Sequence, residues 1–276
     1  MKNGWLLYDR RDYEINQGFA THVHACAKAH DLSFTVIFTE DFDAAVSNPP
    51  DFVISRQRNP LLSRQMEAEG IPVFNSSRVC ELCNDKRKTH QFLDGLPLMH
   101  TAYVSSDEAY GPSVDAYPLV VKPAFGHGGD RVVQVHDNTQ LNSALAAIAP
   151  QPALVQETAS DAGRDLRIYV VFGRIIAAVL RQAQDGIISN YKRGGHVSLH
   201  VPTAAEQTLA QQVIDRFSDY HAPLSFAGID LIYHHGSPVI NEVEDVVGSR
   251  MLYKVSDIDI ISLYIDAIAD QLSHDK

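Results

Sequence analysis

Three acidic residues in the last quarter of the chain have the types and spacing of a divalent-cation site. Asp230 lies inside an apolar segment, residues 228–232, where a charge is costly unless it is paired or binds a metal. Glu242 and Glu244 are two residues apart in the next predicted strand, so their side chains share one sheet face. If a hairpin through residues 235–237 joins the two strands, Asp230 can lie opposite this pair. Oxygen ligands at this density favour Mg²⁺ shared with phosphates over a set of solvated carboxylates.

A second candidate feature is a glycine-rich loop, residues 125–130, between two predicted strands. It opens no helix, which excludes both the P-loop and the dinucleotide-binding fingerprint. A glycine-rich hairpin can still offer backbone N–H groups to phosphates, because glycine has no Cβ to obstruct the approach. Lys122 ends the preceding apolar strand, where its ammonium group would face a cleft and meet a phosphate. Taken alone, an ordinary turn and a lysine at a strand end remain the alternatives.

The composition indicates a globular chain whose charge argues against polyanionic partners. The 276 residues are 45% hydrophobic, and the formal net charge of −11 disfavours a nucleic-acid or anionic-membrane surface. The first apolar run is too short for a secretion signal or a membrane span. Cys80 and Cys83 have CxxC spacing but lack the second half of a zinc site, which favours two ordinary thiols on a helix. We therefore expect a cytoplasmic protein that binds neither nucleic acid nor membrane.

Two further groups of residues have open interpretations. His22 and His24 alternate on a predicted helix, so their imidazoles diverge, which favours surface histidines over a metal site. Arg56 and Arg58 follow a predicted strand that ends at Ser55. The carboxyl ends of parallel strands commonly face the ligand crevice, so either arginine is a candidate for a substrate carboxylate. Solvated loop arginines are the equal alternative.

Hydrophobic periodicity and turn residues predict the elements that position these side chains. The first eighty residues alternate strand and helix, which indicates a parallel α/β unit. The later strands are longer and are joined by tight turns, which indicates antiparallel pairing under two helices. The predicted strands are residues 5–8, 34–38, 52–55, 71–74, 119–123, 131–135, 166–172, 175–181, 226–233 and 239–243, and the predicted helices are 17–29, 61–69, 138–148 (with Asn138 or Thr139 as N-cap), 204–220 and 258–272. The pattern predicts α/β followed by α+β in three lobes, residues 1–83, 84–156 and 157–276.

Seven short segments in residues 84–270 occur in the order found in one enzyme family. They are Asn84-Asp85-Lys86, Val120–Pro123 with Gly126–Gly129, Gln156-Glu157, Gly163–Arg167, Ser189–Gly195, Ala227–Asp230 and Val239–Val243. With them the chain resembles the ATP-grasp carboxylate–amine ligases, and most of all the RimK-type branch. That branch adds glutamate to a ribosomal protein's C-terminus and includes lysine-biosynthesis ligases. The resemblance implies an ATP-grasp fold, preceded by a Rossmann-like α/β N-terminal domain that matches in pattern only.

The resemblance also implies individual roles around ATP and Mg²⁺, with Mn²⁺ as an alternative metal. The implied nucleotide-binding residues are Lys86 and Lys122 at the phosphates, Gly126, His127, Gly128 and Gly129 in a mobile flap, Glu157 and Thr158 beside the adenine, Asp165 at the ribose, and Gln156. The implied metal ligands are Asp230, Glu242 and Glu244. The residues implied to act on the reacting groups are Arg167 and Asn190 at the phosphates or the reacting carboxylate, Lys192 and Arg193 near the acyl acceptor or acyl phosphate, and Arg250.

The chain departs from the family pattern near the metal site. The third metal position is usually asparagine, whereas Glu244 adds a negative charge that could tighten metal binding or recruit Arg250 as a partner. The proline of the family's closing motif is Val247 here, and an arginine two residues before Asn190 is replaced by Ile188. These changes leave ATP binding as expected and bear on the identity of the substrate.

The implied reaction is ATP-dependent amide formation between a carboxylate and an amine, through an acyl phosphate, with release of ADP and phosphate. The expected partners are ATP and an amino acid, together with a small carboxylate or a peptide or protein C-terminus. A kinase that phosphorylates a hydroxyl and a non-catalytic nucleotide-binding module are the alternatives. Lys86, Lys122, Asp230 and Glu242 argue against the second of these. The oligomeric state is left open, and a homo-oligomer is compatible with the sequence.

Overall fold

The computed structural model describes residues 1–105, 109–110, 116–183 and 195–274, which form three sheets with flanking helices. The strands are β1 (Lys2–Tyr8), β2 (Leu32–Phe38), β3 (Phe52–Arg56), β4 (Val73–Phe74), β5 (Thr101–Val104), β6 (Ala109–Tyr110), β7 (Leu119–Pro123), β8 (Val133–Val135), β9 (Ala153–Glu157), β10 (Arg164–Val171), β11 (Arg174–Gln182), β12 (His196–His200), β13 (Phe226–His234) and β14 (Ser237–Glu244). The helices are α1 (Arg10–Ala27), α2 (Phe42–Ala45), α3 (Pro60–Ala68), α4 (Ser77–Cys83), α5 (Lys86–Phe92), α6 (Asn138–Ile148), α7 (Ala204–Asp219), α8 (Arg250–Val255) and α9 (Ile260–His274).

The N-terminal sheet is parallel, in the order β2-β1-β3-β4, and is covered on both faces. Trp5 and Leu7 of β1 pack in one core, and Leu6 and Tyr8 pack in another. This alternation explains why β1 is a continuous apolar run: successive side chains point to opposite faces, and both faces are buried. The predicted parallel α/β unit is confirmed.

The other two sheets are antiparallel and provide the walls of a cleft. The central sheet has the order β6-β5-β9-β7-β8, and Ile148 of α6 packs in its core. The C-terminal sheet has the order β12-β11-β10-β13-β14. One face of it packs against α7, and the other shares a core with α9 and the N-terminal sheet. Among the described helices, none combines the length and the apolar character that crossing a membrane requires.

Several predicted element boundaries are corrected by local side-chain chemistry. Helix α1 begins at Arg10 rather than near residue 17, because the Asp9 carboxylate accepts backbone hydrogen bonds at its N-terminus. The N-cap of α6 is Asp137 rather than Asn138 or Thr139, and its side chain accepts from the Gln140 N–H. The strand predicted from residue 131 begins at Val133, because Arg131 has a φ of 52° and belongs to a turn.

Candidate functional site

The three predicted metal ligands converge on the last two strands of the C-terminal sheet, β13 and the edge strand β14. Asp230 on β13 is paired directly opposite Glu242 on β14, and Glu244 is opposite Gly228. One carboxylate oxygen from each acidic residue lies within 4.8 Å of the other two. Asp230 is buried, and both glutamates are partly exposed where they line the cleft. The predicted convergence of the three carboxylates is therefore confirmed.

A β-bulge at Asn241 creates this arrangement. From the hairpin turn the pairing is regular as far as Leu231, and it then skips one residue of β14 before Asp230 pairs with Glu242. Without the extra residue both glutamates would lie on the other sheet face from Asp230, because side chains alternate along a strand. The bulge residue also contributes to the cleft, since Asn241 Oδ1 accepts a hydrogen bond from Lys122 Nζ at 3.2 Å.

Two arginines on the neighbouring strands neutralise the carboxylates. Arg167 on β10 donates to Asp230 from Nε at 2.8 Å and from Nη2 at 2.6 Å, and its Nη2 lies 2.7 Å from Glu244 Oε1. Arg181 on β11 donates from Nη2 to Asp230 Oδ2 at 2.6 Å and forms an ion pair with Asp165. Burial alone would raise the pKa of Asp230, but the two guanidinium groups overcome it and lower that pKa. Burial raises the pKa of Glu244 despite the contact with Arg167.

Gly228 leaves the space that the Arg167 guanidinium occupies. A Cβ atom at position 228 would lie 2.8 Å from Val247 Cγ2 and 3.3 Å from Arg167 Nε. A side chain there would displace the Val247 side chain and crowd the Arg167 side chain that lies between Asp230 and Glu244. The glycine is therefore required by a close side-chain approach rather than by a turn.

Two lysines form the cationic side of the same cleft. Nζ of Lys86, the first residue of α5, lies 3.7 Å from Glu242 Oε2 and donates to the Gly126 carbonyl at 2.7 Å. Lys122 on β7 is 5% exposed. Burial, reinforced by Lys86 and opposed by Glu242, lowers the pKa of Lys122 to about 8. Two ammonium groups beside the carboxylates suit an anionic ligand such as a polyphosphate.

The glycine-rich loop joins β7 to β8 and lines the cleft. Gly126, Gly128 and Gly129 have φ values of 123°, 71° and 75°, in the region that glycine adopts more readily than other residues. These conformations allow the backbone to approach a ligand closely, and His127 lines the cleft with them. The other predicted nucleotide-binding residues that line the cleft are Gln156, Glu157, Thr158 and Asp165.

A further part of the cleft is lined by residues of α1, by the segment that follows β3 and by residues near α8. Arg58, which follows β3, forms an ion pair with Asp12 of α1, and Arg250 at the start of α8 lines the same cleft. Buried Asp245 accepts a hydrogen bond from Asn84 Nδ2 at 3.0 Å, and burial raises its pKa to about 6. Charged groups of both signs therefore surround this region, as a zwitterionic ligand requires.

The two candidate arginines of the N-terminal unit lie in different environments. Arg58 lines the cleft, whereas Arg56 is buried, donates to the Val247 carbonyl at 2.8 Å and lies over the Phe19 ring. The interpretation of Arg56 as a ligand for a substrate carboxylate is therefore not supported by its position. The alternative of a solvated loop arginine is also wrong for this residue, because packing on the aromatic ring encloses the guanidinium.

The suggestion that Glu244 recruits Arg250 is corrected, because the ion pair of Glu244 is with Arg167. The predicted residues Asn190, Lys192 and Arg193 lie outside the described residues.

The site residues that sequence reasoning missed include Arg181, Asn241 and Asp245. Arg181 carried a signal that could have found it, since it is a charge at the end of an apolar strand, like Lys122.

Comparison with known proteins identifies the family. Residues 83–268 match the family model described as a RimK-like ATP-grasp domain. The chain belongs to the RimK-like ATP-grasp family. It is 32% identical over 214 residues to a "Probable alpha-L-glutamate ligase" of Maridesulfovibrio salexigens, covering 74% of this chain and 69% of that protein. A protein of the same name from Alcanivorax borkumensis is 31% identical over 238 residues, covering 83% of this chain and 76% of the other.

Solved structures share the fold of this RimK-like chain at low sequence identity. D-alanine–D-alanine ligase from Bacillus anthracis, complexed with ATP, has a TM-score of 0.78 at 15% identity, covering 99% of this chain and 98% of that one. L-amino acid ligase from Bacillus licheniformis has a TM-score of 0.72 at 17% identity, covering 99% and 74%. At these identities the likeness shows the fold alone, and the predicted ATP-grasp fold is confirmed.

The RimK-like chain is thus an ATP-dependent carboxylate–amine ligase, an enzyme that forms C–N bonds. Membership of the family implies the use of ATP and a divalent metal ion. The predicted enzyme class is confirmed, and it is favoured over the kinase and the non-catalytic module.

Proposed function

We propose that this ligase joins the amino group of an amino acid, with L-glutamate as the first candidate, to a carboxylate through an acyl phosphate. The second substrate is a small carboxylic acid or a peptide or protein C-terminus. One observation carries the proposal: a single cleft is lined by the two lysines, the three carboxylates and the Arg58–Asp12 pair. The names of the relatives support glutamate as the amino acid.

We assign the metal site to Asp230, Glu242 and Glu244. The donor set fits a divalent cation, because three carboxylates each offer an oxygen within 4.8 Å of the others. Oxygen donors of this kind suit Mg²⁺, with Mn²⁺ as the alternative. A bound cation would neutralise phosphate charge and favour attack on the terminal phosphorus. Arg167 would stay beside Asp230 and hold this carboxylate in its ionised form.

We assign the nucleotide to the part of the cleft between the central and C-terminal sheets. Lys86 and Lys122 would hold the phosphates, the glycine-rich loop would cover them, and Glu157 and Thr158 would border the adenine. The burial of Lys122 supports this assignment, because an ammonium group that faces an anion in a low dielectric binds it more strongly than one in water. The ribose role of Asp165 remains a proposal, and Arg181 competes for that carboxylate.

We assign the amino acid to the part of the cleft beside the N-terminal sheet. Arg250 and Arg58 would receive the substrate carboxylate, and Asp245 and Asp12 its ammonium group, with the Arg58–Asp12 ion pair opening as the ligand binds. Charges of both signs in one part of the cleft recognise a zwitterion with specificity, because a neutral analogue cannot form the charged hydrogen bonds.

The reaction then follows from positioning and charge. The substrate carboxylate attacks the terminal phosphorus of ATP to give an acyl phosphate, with ADP as the leaving group. The amine, as the neutral form, attacks the acyl carbon, phosphate leaves as the amide bond forms, and the nitrogen gives up a proton to the leaving phosphate or to solvent. Arg167 and Lys122 would stabilise the negative charge that develops on the transferring group. The closed loop would exclude water, which otherwise hydrolyses the acyl phosphate. We propose that Asn190, Lys192 and Arg193 act at this stage.

The test is a substrate screen of the full chain with Mg-ATP, each of the twenty amino acids and a set of carboxylates and short peptides. Phosphate release is followed, and products are identified by mass spectrometry. Release of ADP with an amide product, strongest for glutamate, supports the proposal. A phosphate ester without an amide would show a kinase, and bound ATP without turnover across the panel would show a binding module. Replacing Glu242→Gln should lower turnover by at least about a hundredfold, whereas the exposed Glu69→Gln should not change it.

A further inference from the structure

Three side chains with different metal-binding atoms meet on the surface, and none of them lines the cleft. They are His22 and Cys26 of α1 and Asp259, the residue before α9. One ligand atom of each lies within 4.8 Å of the other two. The side chains of His22 and Asp259 are 33% and 46% exposed, so an ion can reach them from solvent.

The helix geometry places two of these atoms side by side. His22 and Cys26 are four residues apart on α1, and residues at that spacing lie one above the other on the same helical face. His24 points elsewhere, with Nδ1 2.7 Å from the Ala20 carbonyl and Nε2 3.2 Å from the Phe34 carbonyl. The predicted divergence of the two imidazoles is thus confirmed, but the residue that accompanies His22 is Cys26.

Asp259 is held in a defined orientation by its neighbours. Its Oδ1 accepts hydrogen bonds from the Tyr253 hydroxyl at 2.9 Å and from the Ser262 N–H at 3.1 Å. Its Oδ2 lies 2.9 Å from Nε2 of His22, whose ring stacks on Tyr253 at 17°. Hydrogen bonds and stacking that fix ligand side chains are the arrangement found around metal sites, where they strengthen binding.

The donor set selects the class of cation. One imidazole nitrogen, one sulfur and one carboxylate oxygen suit Zn²⁺ and similar ions, whereas Mg²⁺ prefers oxygen alone. Neighbouring ligand atoms of a tetrahedral zinc ion are roughly 3.3–3.8 Å apart, given bonds of about 2.0–2.3 Å. The observed spacing therefore needs only small side-chain movements. Burial and the nearby Asp259 raise the pKa of the Cys26 thiol, an effect that a bound cation would reverse.

We propose that His22, Cys26 and Asp259 form a binding site for Zn²⁺ or a similar divalent cation, which joins α1 to the start of α9. Binding replaces the His22–Asp259 hydrogen bond with two metal–ligand bonds, as the imidazole proton moves from Nε2 to Nδ1, forms a third bond to the Cys26 sulfur, and releases the thiol proton to solvent. The fourth position is left to water or another ligand. The ion would connect α1 with the residue before α9, outside the catalytic cleft.

The same pair of helical segments offers an internal comparison. His30, at the end of the turn that follows α1, lies 2.7 Å from Asp266 of α9, and that pair is also partly exposed. Both pairs are therefore histidine–aspartate contacts between the same parts of the structure. The second pair has no part in the three-residue cluster, so it serves as the matched control for a metal-dependent effect.

The test uses the full chain and Co²⁺ as a spectroscopic probe for Zn²⁺. A thiolate bound to Co²⁺ gives an intense near-ultraviolet charge-transfer band, which carboxylates in the catalytic cleft cannot give. We expect this band in the wild-type chain and in Glu242→Gln and His30→Gln, and its loss in Cys26→Ser. A chelator-competition titration should show Zn²⁺ affinity lower by at least about tenfold in His22→Gln and Asp259→Asn.

Two results would overturn the proposal. One is the absence of the charge-transfer band from the wild-type chain, which would leave a hydrogen-bonded surface cluster without a metal. The other is a band that persists in Cys26→Ser. Circular dichroism of each variant establishes that the fold is retained. Cys83 is a thiol that lines the catalytic cleft, so Cys83→Ser is the control for a cobalt ion bound there, and this variant should retain the band. Failure here would leave the ligase proposal untouched, because the substrate screen does not depend on this cluster.

Discussion

Arg181 donates a hydrogen bond from Nη2 to Asp230 Oδ2 at 2.6 Å, although their strands β11 and β13 are separated by β10. The long side chain reaches across the intervening strand, where Arg167 binds the same carboxylate. Asp230 is therefore shared by two guanidinium groups in a buried network. Such a network is sensitive to the loss of one member, because the remaining charges are left unpaired in a low dielectric.

Replacing Arg181→Met should lower the free energy of unfolding by about 3–5 kcal/mol, because Asp165 and Asp230 lose a buried cationic partner. Urea unfolding followed by circular dichroism measures this change. Arg174→Met, on the exposed end of β11, should stay within about 0.5 kcal/mol of wild type. Adding Asp165→Asn to Arg181→Met should recover part of the loss. A single-variant cost below about 1 kcal/mol would contradict the role of Arg181 in this network.

Replacing Glu244→Asn should raise the half-saturating Mg²⁺ concentration by about tenfold, because one negative charge leaves the proposed metal site. Turnover at saturating Mg²⁺ should fall much less, since Asp230 and Glu242 remain. Steady-state rates across a Mg²⁺ titration measure both quantities, with the exposed Glu69→Asn as control. An unchanged Mg²⁺ requirement would mean that Glu244 serves Arg167 rather than the cation.

Replacing Arg58→Met should raise the KM for the amino acid by roughly tenfold to a hundredfold, which corresponds to one lost charged hydrogen bond. The KM for ATP should change by less than about twofold, because the nucleotide is assigned to another part of the cleft. Steady-state kinetics with each substrate varied in turn separates the two. Arg64→Met, which removes an exposed arginine beside Glu81, is the matched control. An equal rise in both KM values would argue against an amino-acid subsite at Arg58.

Replacing His90→Gln should reduce the acid sensitivity of the folded state. Burial, with a contribution from Lys122, lowers the pKa of His90 from 6.5 to about 3, and within the described residues its Nε2 has no hydrogen-bond partner. Between these two pH values the unfolded chain carries the imidazole proton and the folded chain does not, so stability falls as the pH falls. From pH 7 to pH 5 this group should cost wild type about 2 kcal/mol, and the variant should lack that loss.

Urea unfolding at the two pH values gives the difference directly, and other titrating groups cancel because they are common to both proteins. His136→Gln is the control, because His136 is exposed and has no comparable burial. Equal pH dependence in wild type and His90→Gln would show that the buried imidazole stays protonated or is solvated.

The sequence by itself indicated the main strands and helices and several residues of the cleft, whereas β5, β12, α2 and α8 were not predicted. The apolar run of residues 5–8 predicted a strand of the parallel α/β unit, and the two-residue spacing of Glu242 and Glu244 predicted their common face. Lys122 was predicted to face a cleft because it is a charge at the end of an apolar strand, and it is buried there. These inferences succeeded because they depend on local periodicity, which the chain carries in every short segment.

The tertiary structure decided which of these side chains meet. Counting from the hairpin turn in regular register would place Asp230 opposite Asn241, with both glutamates on the other face, and the bulge at Asn241 reverses that outcome. A second bulge, at Ile176, brings Arg181 opposite Asp165. A strand alternates with period two, so one inserted residue moves every later side chain to the opposite face. The apolar pattern does not reveal such an insertion, and neither does it reveal the packing of α1 against α9 that joins His22 and Cys26 to Asp259.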